Sequence, residues 1–257
     1  MLGLSNNLSK SGLVTPGIVT DSLVLKHNYA AGGVVPVSDG AAFFDGTDDY
    51  ISVADAANLS FGDGSNDSAF SVSAWIKMDD IASFVIASKG VYNSTGEWSF
   101  ETLASGKLAL YLYDESVANT YEGGYYNSVL SANTWYHLVA TYDGTGGTGA
   151  SAGISIYVNG ASQTVTLSDG GTYVAMENLS HDVWIGRGST VYAGGYICNV
   201  GLWSTVLTQA QIKSIMWKNY AGLTSTETTG LVSWWNLDEA DGSTVEDLHG
   251  SNDGTLS

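Results

Sequence analysis

The sequence predicts an all-β fold, two antiparallel sheets packed face to face, and three observations carry that prediction. The 257 residues include 32 glycines, and the apolar remainder is rich in Val, Ile, Tyr and Trp, a balance that suits pleated strands joined by tight turns. Across residues 43–203, runs of four to eight strand-forming residues are separated by clusters of Gly, Asn and Asp. The length matches one large sandwich, which commonly takes about 200–250 residues as a single domain.

In chain order, residues 1–35 carry a lone aromatic, Tyr29, and alternate weakly through Leu13, Val14, Ile18 and Val19. They predict an extended N-terminal arm that docks on a partner or a sister subunit. Within it, residues 21–28 place Leu23 and Leu25 on one face and read as the first sandwich strand. Strands follow in Phe43-Phe44-Asp45-Gly46-Thr47-Asp48-Asp49-Tyr50-Ile51-Ser52-Val53 and in Phe70-Ser71-Val72-Ser73-Ala74-Trp75-Ile76-Lys77. In residues 135–142 both faces are fairly apolar, Trp135, His137, Val139 and Thr141 on one and Tyr136, Leu138, Ala140 and Tyr142 on the other, as in a central strand. Ile154-Ser155-Ile156-Tyr157-Val158 leads into Asn159-Gly160, a tight hairpin turn. The glycine-rich insertion 143–153 reads as a surface loop too flexible to pack. Val183-Trp184-Ile185-Gly186-Arg187 and residues 194–203 read as further strands of the same series. One helix is predicted: Thr208 as N-cap with Gln211 makes a capping box, Ile212, Ile215, Met216 and Tyr220 share a face, and Gly222 ends it.

These strings, in this order, resemble laminin G-like domains of the concanavalin A-like jelly-roll superfamily over roughly residues 40–216. The resemblance implies a two-sheet antiparallel jelly-roll sandwich, here with an extended N-terminal arm (1–35), a laminin G-like domain (36–222) with one short C-terminal helix, and a C-terminal tail (223–257). It also implies a scaffold that binds more often than it catalyses, and a calcium ion at a loop end of the sandwich. In such sequences a segment like Leu231-Val232-Ser233-Trp234-Trp235-Asn236-Leu237 precedes the Phe-Asp-Gly string; here it follows. It therefore reads as a spare strand on an open sheet edge of its own or a neighbouring sandwich, burying Val232, Trp234 and Trp235, with a truncated second repeat as the alternative.

Composition narrows the function. A net charge of −18 with eight Lys plus Arg repels a phosphate backbone and excludes nucleic acid as a partner. The lone cysteine, Cys198, rules out an intrachain disulfide and reads as a buried small hydrophobe. No basic start followed by an apolar run opens the chain and no apolar window approaches about 18 residues, so neither a signal peptide nor membrane insertion is expected.

Glucan-cleaving enzymes need carboxylates that flank a sugar at about 5 Å, and no Glu-x-Asp-x-Glu string occurs; Glu97-x-x-x-Glu101 has the wrong spacing and no Ser-His-Asp arrangement follows from four scattered histidines. Structural calcium has three candidate turns, that of Asp45, Asp48 and Asp49, that of Asp63, Asn66 and Asp67, and Asp143-Gly144, because hard cations take carboxylate and carbonyl oxygens; the same Asp-Gly pairs are also plain turn formers. Tyr111, Tyr113, Tyr121, Tyr125 and Tyr126, with Asp114, Glu115 and Glu122, form a candidate glycan-contact cluster, a protein interface or half-buried strand residues. Residues 17–27 and 211–220 look like segments of virion proteins in marine bacteriophage genomes. The expected function is thus a non-enzymatic virion structural protein of a tailed bacteriophage, a capsid decoration, fibre or tail component, assembled in the host cytoplasm as a homo-oligomer with other virion proteins and binding surface glycans. An extracellular glycan-binding adhesion module is the second reading and a glycoside-active enzyme the third.

Overall fold

Sixteen strands form among the residues that the computed structural model describes, 34–239 and 242–257. The string around Phe43 gives β1 (Ala42–Asp45) and β2 (Ile51–Val53), and the next gives β3 (Phe70–Met78). Four further strands follow: β4 (Phe84–Lys89), β5 (Trp98–Thr102), β6 (Leu108–Asp114) and β7 (Thr120–Tyr126). Then come β8 (Tyr136–Tyr142), β9 (Ile154–Val158), β10 (Ala161–Ser162), β11 (Val165–Gly170), β12 (Val183–Ile185) and β13 (Gly194–Trp203). The C-terminal residues add β14 (Leu231–Trp235), β15 (Thr244–Val245) and β16 (Gly254–Leu256). The strand expected at residues 21–28, and the arm around it, lie outside the described residues; Val35–Ser257 make up one compact unit.

Every pairing is antiparallel, in two sheets. The first runs β1-β13-β3-β8-β9-β10 with β14 added to β13, and the second runs β11-β7-β6-β5-β4-β12-β2-β16-β15. Alternation sends Phe70, Val72, Ala74 and Ile76 of β3 against Trp98 and Phe100 of β5 and Leu108, Leu110 and Leu112 of β6, forming the main core between the sheets. The fold expected from the sequence, an all-β jelly-roll sandwich with one short helix, is the fold observed. β8 sits between β3 and β9, and its other face carries Val139 into a second cluster with Trp203, Ile212 and Ile215. The turn between β9 and β10 has φ of 51° at Asn159 and 74° at Gly160, the left-handed pair a two-residue hairpin demands.

The helix α1 (Gln209–Ile215) starts as expected: Thr208 accepts from the Gln211 N–H and the Gln211 side chain accepts from the Thr208 N–H. It ends earlier than Gly222, since Met216 is the C-cap and a separate 3-10 turn spans Tyr220–Gly222. The glycine-rich insertion also departs from expectation. Its Ala150 is fully buried in the main core, and the Glu122 carboxylate accepts from the Gly149 and Ser151 N–H groups at 3.0 Å each. Glycine supplies the reason: Gly144, Gly146, Gly147 and Gly149 all take positive φ, which winds the loop back onto β7 instead of letting it float.

The tail is part of this sandwich. On the edge of β13 away from β3, β1 pairs with Gly194–Ile197 and β14 pairs with Val200–Trp203, so the two strands lie end to end. Trp235 enters the main core and donates its indole N–H to the Asn252 carbonyl at 2.9 Å, while Trp234 enters the second cluster, 6.0 Å from Trp203. Val232 is half-buried against the main core. The chain then crosses to the other sheet, where β16 pairs with β2. No helix among the described residues is long and apolar enough to cross a membrane.

Candidate functional site

The outer face of the nine-stranded sheet follows from the same alternation. With Trp98 and Phe100 inward, Ser99 and Glu101 of β5 point out; with Leu108, Leu110 and Leu112 inward, Tyr111 and Tyr113 of β6 point out. Tyr121 and Tyr125 join them from β7 by register, Tyr121 opposite Tyr113 and Tyr125 opposite Ala109. Tyr126, the next residue along, takes the opposite side of the pleat and packs against the main core, so it does not belong to the cluster.

Ring centroids of Tyr111 and Tyr121 lie 5.6 Å apart, and those of Tyr111 and Tyr113 6.3 Å. Tyr92, from the loop after β4, extends the group at 5.0 Å from Tyr113 and 5.8 Å from Tyr121. Two glycines make the rings lie down. A Cβ on Gly123 would come within 2.3 Å of the Tyr111 ring, and one on Gly170 within 2.5 Å of the Tyr121 ring. Each ring therefore lies over a neighbouring strand's backbone and stays half-exposed. The Tyr113 hydroxyl is hydrogen-bonded to Ser99 Oγ at 2.7 Å. Beside them the Glu101 carboxyl has its pKa pushed up to about 7 by burial.

A second aromatic group occupies the same face. Trp184 points outward between Val183 and Ile185, which are in the core. Around it stand Tyr50, at 5.9 Å, and His181, at 4.5 Å between centroids. The Arg187 guanidinium lies 4.0 Å from the Trp184 ring, 4.5 Å from that of Tyr50 and 5.3 Å from that of Tyr192. One register row links the groups, running Ser168, Gly123, Tyr111, Ser99, Ser88, Trp184, Ser52 from β11 across to β2. From Tyr111 to Trp184 is three strand spacings, about 14 Å, floored by two serines. A separate cleft of about 320 Å³ lies elsewhere, walled in part by the core residues Ile51 and Leu237.

The first two acidic turns differ. Ligand atoms of Asp45, Asp48 and Asp49 all lie within 4.8 Å of one another. Asp45 Oδ1 accepts from the Thr47 N–H at 2.7 Å and the Asp48 N–H at 3.3 Å, and the Thr47 contact foremost holds its carboxyl below the ordinary range. In the other turn Asp63 Oδ1 accepts from the N–H groups of Ser65 and Asn66. Asp67 turns inward, accepting from the Tyr142 hydroxyl at 2.7 Å, the Tyr173 hydroxyl at 2.8 Å and the Met176 N–H at 2.8 Å. Asp63 thus holds its own turn, while the Asp67 carboxylate is taken up by two tyrosine hydroxyls and a backbone N–H.

Glu97 and Glu101 do not face one another: Glu97 is sealed against Lys89 Nζ at 3.3 Å, whereas Glu101 is on the outer face. Ser73 Oγ and His137 Nε2 come within 3.0 Å, a pair the sequence does not reveal. Both are buried, His137 Nδ1 has no partner, and burial pushes the imidazole down to about 3. Among the described residues nothing orients that imidazole as the base of a triad.

Sequence reasoning passed over Tyr50, Tyr92, Trp184, Arg187 and Tyr192. A signal for Trp184 and Arg187 existed, a tryptophan between two β-branched residues followed by the chain's single arginine. Tyr50, Tyr92 and Tyr192 come from loops and turns, where alternation gives no side.

No curated protein sequence matches the chain. Among solved structures, a candidate carbohydrate-binding protein from Bacteroides ovatus is similar at 21% identity with a TM-score of 0.55, covering 84% of this chain and 57% of that one. The chain thus spans little more than half of that protein's length. A heptameric SAP-like pentraxin from Limulus polyphemus is similar at 17% identity and TM-score 0.44, covering 82% of this chain and 94% of that one. Domain 4 of the arabinanase AbnA from Geobacillus stearothermophilus, solved with arabinotriose, gives 17% identity and TM-score 0.43, covering 60% and 69%. A family model described as the concanavalin A-like lectin/glucanases superfamily matches residues 45–213, well over half of the chain, and the protein belongs to that family.

Proposed function

We propose that this chain is a non-enzymatic glycan-binding module whose ligand lies across the tyrosines of β6 and β7. The observation that carries the reading is the platform itself: Tyr111 and Tyr121 lie over Gly123 and Gly170, both half-exposed, beside Ser99 and Glu101. Sugars present apolar C–H faces that stack on such rings, while their hydroxyls take hydrogen bonds from the polar side chains around them. Hydrolysis of a glycosidic bond needs two carboxyl groups about 5–9.5 Å apart, and Glu101 is the one carboxylate at the outward positions of β4 to β7. In affinity electrophoresis through gels carrying a panel of polysaccharides, Tyr111→Ala is expected to weaken retardation about tenfold, the equivalent of about 1.4 kcal/mol, with no release of reducing sugar by either form. Equal mobility of the two proteins in every gel would remove the platform as the binding surface.

The wider setting we attach to the module is the virion of a tailed bacteriophage, as a decoration, fibre or tail component built from several copies. That setting rests on the resemblance of residues 17–27 and 211–220, and imaging and mass analysis of native particles test it. For calcium, the turn of Asp45, Asp48 and Asp49 is the place the geometry favours, since Ca²⁺–oxygen distances of about 2.3–2.6 Å suit carboxylates within 4.8 Å of one another. A structural ion at 100 times its dissociation constant would add about 2.7 kcal/mol. Melting in millimolar calcium is then expected several degrees above melting in excess chelator, and Asp48→Asn with Asp49→Asn should abolish the difference. Coincident melting curves for the wild type would dismiss the ion.

A further inference from the structure

Stacking of neutral sugars does not account for Arg187. It is the single arginine in a chain that carries 26 Asp and Glu against eight Lys and Arg. Among the described residues its guanidinium forms none of the ion pairs, while Lys89 and Lys218 each have a carboxylate partner. Its Nε is buried with no hydrogen-bond partner among the described residues. Asp182, which flanks the same strand, is already engaged by Ser52 Oγ at 2.6 Å and the Asp55 N–H at 3.2 Å. The three rings at 4.0–5.3 Å instead hold the guanidinium over their faces. A guanidinium held by its faces keeps its N–H fork in the plane, and that fork matches a carboxylate in two parallel hydrogen bonds.

Resting on the glycan-binding reading above, we propose that Tyr50, Trp184, Arg187 and Tyr192 form a subsite for the carboxylate of an acidic sugar, and that the ligand is a uronate-bearing polysaccharide. The register row sets the span of such a ligand: Tyr111 and Trp184 are three strand spacings apart, about 14 Å, with Ser99 and Ser88 buried in the sheet between them. The net charge of −18 disfavours any polyanion at long range, but repulsion from carboxylates beyond about 8 Å is screened at physiological ionic strength, which leaves the contact at Arg187 to decide the preference.

The test uses the full chain in affinity electrophoresis with alginate, polygalacturonate and hyaluronan, each beside its carboxyl-reduced counterpart, with dextran sulfate as a general polyanion. At least one uronate polymer is expected to bind about tenfold more tightly than its reduced form, the size of one charge-assisted contact. Arg187→Gln should erase that preference and Arg187→Lys should keep part of it, whereas Tyr111→Ala should weaken the acidic and reduced forms alike. Lack of preference for any uronate polymer over its reduced form overturns the proposal through the ligand alone, whether or not the variants fold. So does a preference that survives Arg187→Gln, or an equal response to dextran sulfate. If reduced polymers bind and depend on Tyr111 while acidic ones gain nothing, the platform stands and the arginine subsite falls.

Discussion

Lys89→Met is expected to lower stability by about 3–5 kcal/mol at pH 7.5, the range for removing one partner of a buried ion pair, and by much less at pH 5. The Lys89 ammonium is fully buried; it donates to Asp55 Oδ1 at 2.6 Å, the His181 carbonyl at 2.6 Å and the Leu179 carbonyl at 3.2 Å, and lies 3.3 Å from Glu97 Oε1. Glu97 in turn accepts from the Leu179 N–H at 2.8 Å, so one cation joins β4, the approach to β5 and the loop before β12. Burial pushes the Glu97 carboxyl up to about 7 and Lys89 pulls it back. A carboxyl whose folded pKa is raised binds more protons folded than unfolded, so its share of stability is lost as pH rises from the ordinary carboxylate range through about 7. Without Lys89 the folded value climbs further. The penalty is then greatest above it and small at pH 5, where Glu97 is protonated in the fold and Asp55, a third exposed, keeps its water. A drop in melting temperature of about 10 °C at pH 7.5 should shrink at pH 5, and adding Glu97→Gln should restore part of it. Equal losses at both pH values would show that Lys89 acts through its carbonyl contacts alone.

Local signals made much of the sandwich readable. The strands at Phe70 and Tyr136, the Asn159-Gly160 turn and the Thr208 cap each depend on residues within a few positions of one another. The site was readable as a composition, a run of tyrosines, but not as a surface. Tyr125 and Tyr126 look alike in the chain, and only pairing with Ala109 and Val165 puts one on the outer face and the other against the core. The acidic turns look equally alike. Asp67 parts from Asp45 because hydroxyls of Tyr142 and Tyr173, 75 and 106 residues away, come to its carboxylate. Glycine misled in one place and stayed silent in another: at residues 144–149 it meant a defined path rather than looseness, and at Gly123 and Gly170 it meant room for a ring.

A chain ending at Gly230 is expected to lose cooperative melting altogether, rather than to survive as a folded sandwich short of one strand. Two adjacent indoles explain why, since they point to opposite sides of the sheet. Trp235 fills the main core at 1% exposure, and Trp234, also at 1%, closes the cluster under α1 against Trp203. The same truncation strips β16 from β2 and the Asp247 carboxylate from its turn, where it accepts from the N–H groups of Trp234, His249, Gly250 and Asn252. Burial works against that charge, yet the N–H groups prevail and hold its pKa below the ordinary value. Single changes separate the contributions. Trp235→Ala should cost about 3–5 kcal/mol in global stability, with faster amide exchange throughout both sheets. Trp234→Ala should cost a similar amount but show its first loss of protection in α1, which packs on the same cluster. Light scattering alongside the melts distinguishes this from a tail that works between chains. A Gly230 truncation that loses stability and also has a smaller assembled mass would mean that β14 is exchanged between copies, and that the pairing with Val200–Trp203 is made by a neighbour's tail.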